Sequence, residues 1–138
     1  MTSKIIYLGE LRTESTHIQS GEKVITDAPL DNRGKGQAFS PTDLLATSLG
    51  NCMLTVMGIA AREREINIEG TTCAVTKIMA ADPRRVSEIH AELNFPFSYS
   101  DKEKAILEHT AKTCPVLYSL HPDILKQITF KYGSSSEI

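Results

Sequence analysis

From Leu44 to Ala61 the chain carries no charged side chain. Leu45, Leu49, Cys52, Val56 and Ile59 recur within this run at helical spacing, and Leu44, Met53, Met57 and Ala60 widen the stripe. Just upstream, Ser40 supplies a cap, Pro41 suits the first helical position, and Asp43 stands three residues after the cap as in a capping box. The pattern predicts one long helix over Ser40–Arg64, apolar on most of its faces. It meets the minimum length of a membrane span, but Thr47, Ser48, Asn51 and Thr55 interrupt it, with Gly50 and Gly58. The reading is a buried core helix and no membrane partner.

On either side the period switches to two. Lys4 to Glu14 predicts a strand, Ser20-Gly21-Glu22 a turn, and Lys23 to Thr26 the return strand of a hairpin. A polar loop, Asp31-Asn32-Arg33-Gly34-Lys35-Gly36, leads into the central helix and is either a solvated connection or a cationic flap beside a site. After the charged Arg62-Glu63-Arg64-Glu65, Ile68 to Ala80 predicts a long strand and Asp82-Pro83-Arg84 a turn. Val86 to Phe95 then alternates, with Ile89, Ala91, Leu93 and Phe95 on one face and Glu88, His90, Glu92 and Asn94 on the other. Ser100-Asp101-Lys102-Glu103 is a second capping box, opening a helix to about Lys112. Cys114-Pro115 breaks it and opens a short helix, Val116 to Leu120, which His121-Pro122 stops. Ile128, Phe130 and Tyr132 mark a last strand, and Ser134 to Ile138 a frayed tail.

Strand pairs beside helices predict an α+β class, and 138 residues suit one domain spanning 1–138. A helix apolar on most faces needs cover on two sides, and one small sheet covers only one. A second copy would supply the rest, so a homodimer is expected.

Composition narrows the function. A net charge of −2, no tryptophan and few aromatics offer nothing to nucleic acid or to an anionic membrane. The first ten residues, MTSKIIYLGE, hold no long apolar run before a cleavage site, which predicts a cytoplasmic protein. There a cysteine pair is catalytic, redox-active or simply buried. The three cysteines form no CxxC, and His17, His90, His109 and His121 are scattered without ligand spacing. No metal or other cofactor is expected. The loop lacks P-loop spacing and no GxSxG elbow is present.

Cys52 and Cys114 carry the chemical argument. A thiol attacks as thiolate and needs something to stabilise that charge. Cys52 lies twelve residues into the helix from Ser40, roughly 18 Å along the axis, beyond the reach of the dipole. It must borrow a cation, with Arg33 the first candidate and Lys35 the second, because an arginine fork holds a thiolate and a substrate oxygen together. Cys114 opens the Pro115 helix, where backbone N–H groups favour a thiolate, so electrostatics alone make it the more easily activated. Which attacks first stays open, as does burial of all three as inert core residues; Cys73, within a strand, reads as a packing residue.

The stretch SPTDLLATSLGNC, followed about sixty residues later by TCPVLYSL, resembles the OsmC/Ohr family, the osmotically inducible protein C and organic hydroperoxide resistance proteins. The resemblance implies an intertwined homodimer with long central helices flanked by antiparallel sheets and two sites at the interface. It further implies a thiol peroxidase in which Cys52 is peroxidatic and Cys114 resolving. Arg33 matches the family's activating arginine, from this subunit or its partner. The implied partners are an organic hydroperoxide and a thiol or dithiol reductant. Leu45, Leu49, Met53, Val56 and Phe39 are expected to wall the site and favour an alkyl peroxide. One departure stands out. Active members often carry a glutamate near the start of this helix, paired with the arginine, and here Thr42 and Asp43 hold that place. The competing reading is an OsmC-like dimer without peroxidase activity that binds a small hydrophobic ligand or senses redox state.

Overall fold

A computed structural model of the chain describes residues 1–133; the tail expected from Ser134 onward lies outside them. The chain divides into two compact units, the first Met1–Leu45 and the second beginning at Ala46.

The first unit is a three-stranded antiparallel meander, β1 (Ser3–Gly9), β2 (Arg12–His17) and β3 (Lys23–Asp27), in that spatial order. The single strand expected over Lys4–Glu14 is therefore two. Glu10 and Leu11 both adopt left-handed φ, 55° and 62°, after Gly9 at 85°, the backbone of a two-residue hairpin turn. Glu-Leu carries none of the usual Asn-Gly signal, so the turn was hidden. Beyond β3 a single 3-10 turn, Leu30–Asn32, leads to Phe39, which bridges back to Thr26.

Helix α1 (Pro41–Glu63) begins where expected, because its capping box forms: the Ser40 Oγ accepts the Asp43 N–H at 3.0 Å and the Asp43 carboxylate accepts the Ser40 N–H at 2.9 Å. By length and composition α1 could cross a membrane. One face, however, lies in a protein core formed by Ala46, Leu49, Met53, Met57 and Ala61. The stripe is rotated from the one expected. Leu49, Met53 and Met57 are fully buried, whereas Leu45 and Ile59 stay 42% and 56% exposed. Periodicity defines a wide apolar arc, and the sheet selects which part of it to cover.

That sheet comprises β4 (Thr72–Ala80), β5 (Arg85–Phe95) and β6 (Leu125–Tyr132), with β5 in the middle. The alternation of β5 holds residue by residue: Ile89, Ala91, Leu93 and Phe95 are buried, and Glu88, His90, Glu92 and Asn94 are not. β4 starts at Thr72 rather than Ile68, after Gly70 at φ +92°. β4 pairs antiparallel to β5, but β6 pairs parallel. The crossover through α2 (Asp101–Ala111) and α3 (Pro115–Ser119) returns the chain to the end where β5 began. α1 approaches β4 closely at Gly50, where an added Cβ would lie 3.0 Å from Val75 and 3.2 Å from the Cys73 sulfur. Cys73 thus packs under α1, as expected, and burial raises the pKa of its thiol.

Candidate active site

Two thiols meet in the second unit. Cys52 is half-buried on α1, and Cys114 is fully buried as the N-cap of α3. The local sequence explains the second position. The residue before a proline avoids helical backbone, so α2 ends and Cys114 is extended, φ −75° and ψ 149°. Pro115 then starts α3 with its fixed φ. The Leu117 N–H donates to the Cys114 sulfur at 3.4 Å.

Both cysteines are free thiols, and both pack against the same hydrophobic core. The Cys114 thiol is pushed up, above all by burial. The N–H groups of Leu117 and Val116 pull it down, while neighbouring Cys52 pushes it further up. Cys114 is therefore not the readily activated thiol that its place on α3 suggested: desolvation outweighs the cap.

Arg33 belongs to the first unit, in a tight loop between Ala28 and Gly36. The Asn32 and Gly34 N–H groups both donate to the Pro29 carbonyl at 2.9 Å, and the Gly36 N–H donates to the Ala28 carbonyl at 3.2 Å. Gly34 passes so near Ala28 that an added Cβ would lie 1.7 Å from its carbonyl oxygen. Arg33 takes a left-handed φ of 69° in this turn, a conformation that costs a non-glycine residue about 1 kcal/mol or more. Its side chain is exposed and has no hydrogen-bond or ion-pair partner among the described residues. Lys35 is exposed beside it. Arg12, in the same unit, is engaged: its guanidinium forks onto Asp27 at 2.7 and 2.8 Å and reaches Gln37 at 3.1 Å.

Asp43 serves the α1 capping box. Of the expected apolar walls, Leu49 and Met53 are core residues with no exposed surface, while Leu45, Val56 and Phe39 remain partly or largely exposed. His121 accepts the Asp123 N–H through Nδ1 and His109 is exposed on α2. The Arg12–Asp27 pair was not foreseen. The residues are fifteen apart, and only the β2–β3 register, which sets them opposite each other, reveals it.

An α+β fold with two three-stranded sheets and a buried helix–loop thiol pair defines a recognisable class. A family model described as OsmC-like protein matches residues 34–128. The chain belongs to the OsmC-like family. A crystal structure from Psychrobacter arcticus 273-4, provisionally named an osmotic stress induced and detoxification response protein, is 58% identical over 94% of this chain and 95% of that one, with a TM-score of 0.92. An OsmC-like protein of Mycoplasma pneumoniae shares the fold at 16% identity, covering 96% of each chain, TM-score 0.80. So does an organic hydroperoxide resistance protein of Elizabethkingia anophelis at 15% identity, covering 96% of this chain and 97% of that one, TM-score 0.74. None of the curated proteins compared is significantly similar to the chain.

Proposed function

We propose that the protein is a cysteine-based thiol peroxidase that reduces organic hydroperoxides to alcohols. The observation that carries this reading is the packing of Cys52 and Cys114 against one hydrophobic core, side chains brought together from a helix interior and a distant helix start. Membership of a family that includes organic hydroperoxide resistance proteins supports it.

In this mechanism the Cys52 thiolate attacks the outer peroxide oxygen and the O–O bond breaks. The alkoxide leaves, takes a proton, and departs as alcohol; Cys52 becomes a sulfenic acid. The Cys114 sulfur then attacks the Cys52 sulfur and water leaves, forming a Cys52–Cys114 disulfide. An external thiol or dithiol reduces it by exchange. Burial pushes the Cys114 thiol up, which suits a resolving rather than an attacking role. Arg33, uncommitted where Arg12 is engaged, is the cation assigned to stabilise the Cys52 thiolate and the departing oxygen.

The reading includes a homodimer. β1 is an edge strand that exposes Ile5, Ile6, Tyr7 and Leu8, at 62%, 57%, 63% and 50%, from both of its faces. A groove of about 610 Å³ runs beside the uncovered part of α1, lined by Leu54, Gly58, Ile59, Ile66 and Ile68. Apolar surface of this extent calls for a partner. Sedimentation equilibrium is expected to return twice the 15.2 kDa chain mass; a monomer at micromolar concentration would refute the dimer.

The deciding assay follows cumene hydroperoxide consumption with dithiothreitol and, separately, with dihydrolipoamide. Sustained turnover with either reductant is the expected result. Folded protein with titratable thiols and no turnover would end the peroxidase reading, and ligand binding would then be sought by thermal shift.

A further inference from the structure

Asp27 is a charged side chain with only 1% of its surface exposed, and no step of the proposed reaction uses it. Its carboxylate takes two hydrogen bonds from Arg12, at 2.7 and 2.8 Å, and a third from the Gln37 N–H at 3.1 Å. The Arg12 Nη2 also donates to the Gln37 side chain at 3.1 Å. The Asp27 N–H donates to the Phe39 carbonyl at 3.0 Å. Residues 27 and 37 are thus the two feet of the loop that carries Arg33 and Lys35, and one carboxylate binds both to the end of β2.

The pair is half-buried, with Asp27 dry and the Arg12 side chain 35% exposed, and such a pair adds little stability because desolvation offsets much of its attraction. What it supplies is direction: a bidentate fork fixes distance and plane together. Among the described residues, no other side-chain hydrogen bond ties Gln37 to the sheet. Arg12 is itself spent on this contact, which leaves Arg33 as the arginine the loop presents.

We propose that Arg12 and Asp27 form a clamp that holds the cationic loop by both feet and thereby sets the orientation of Arg33, the cation that the peroxidase reading assigns to the thiolate. The proposal rests on the peroxidase reading for its consequence, but its physical core is the ordering of the loop. Asp27 and Arg12 are positioning residues and act only through Arg33.

That dependence makes the test specific. Asp27→Asn, Arg33→Ala and the double variant are compared with wild type in two readouts: kcat/KM for cumene hydroperoxide, and the pH profile of Cys52 alkylation by iodoacetamide, followed on the Cys52 peptide. Asp27→Asn is expected to lower kcat/KM by about tenfold to a hundredfold, as a misplaced catalytic group does. It should also move the alkylation profile to higher pH, in the same direction as Arg33→Ala. In the Arg33→Ala background it should do neither. Losses that multiply in the double variant, or an Asp27→Asn protein indistinguishable from wild type, would overturn the clamp. If Asp27→Asn fails to fold by circular dichroism, Arg12→Lys, which keeps the charge and loses the fork, takes its place in the cycle. Absence of turnover in wild type would refute the peroxidase reading, and the alkylation cycle would still decide the clamp. An Arg33→Ala profile identical to wild type would overturn it.

Discussion

A Cys52→Ser protein is expected to consume no organic hydroperoxide above the buffer background, whereas Cys114→Ser turns over once and stops. A serine hydroxyl at mid-helix has no accessible anion at neutral pH, so the O–O bond meets no nucleophile. Cys114 cannot substitute for it. It is fully buried, its proton is held by desolvation, and its backbone donors only partly offset that. In Cys114→Ser the first step is intact, one alcohol forms per Cys52, and the sulfenic acid has no thiol to condense with. Dimedone should then label Cys52 in that variant, with far less label in wild type, where the disulfide forms. Removal of Cys73 should leave both results unchanged, because that thiol packs under α1 near Gly50. Full turnover by Cys52→Ser would sink the assignment. Sustained turnover by Cys114→Ser would keep the nucleophile and remove the resolving step.

The largest stability change is expected at Leu49. Leu49→Ala removes a side chain with no exposed surface from the face of α1 that enters the core with Met53, Met57, Ile89 and Leu93. The loss should be about 2–5 kcal/mol, the usual range for a buried leucine truncated where neighbours cannot collapse. Urea unfolding followed by circular dichroism would read it as a lower midpoint at unchanged slope. Ile59→Ala, on the same helix but 56% exposed, is the control. Its effect on a single chain should stay below about 1 kcal/mol. Any larger loss should depend on protein concentration, because it would come from the dimer. Equal, concentration-independent losses at both sites would mean that the buried face has been misassigned.

The contrast between these two leucine-like positions explains what could be read early. Ser40–Asp43 and Ser100–Glu103 announce their helices because a cap is satisfied within four residues. The alternation of β5 announced a strand with one buried face because side chains on a strand point up and down in turn. Cys114-Pro115 announced a helix break for the same local reason, and the pairing of Cys52 with Cys114 came from resemblance to a family rather than from spacing. The turn at Glu10-Leu11 escaped because its left-handed backbone is imposed by the strands it joins, not by its own residues. The parallel β6, the choice of Leu49 over Ile59 as core, and the half-buried Arg12–Asp27 pair escaped for a shared cause. Each depends on what a distant segment places opposite.

The electrostatics of Cys114 is the sharpest case. The sequence by itself determined the α+β class, the helix starts and the apolar arc of α1. Only the tertiary structure decided which arc of α1 is covered and that the Cys114 cap sits in a dry core beside Cys52, where burial outweighs the helix start. Capping is a property of neighbours along the chain, whereas desolvation is a property of everything the chain brings around them.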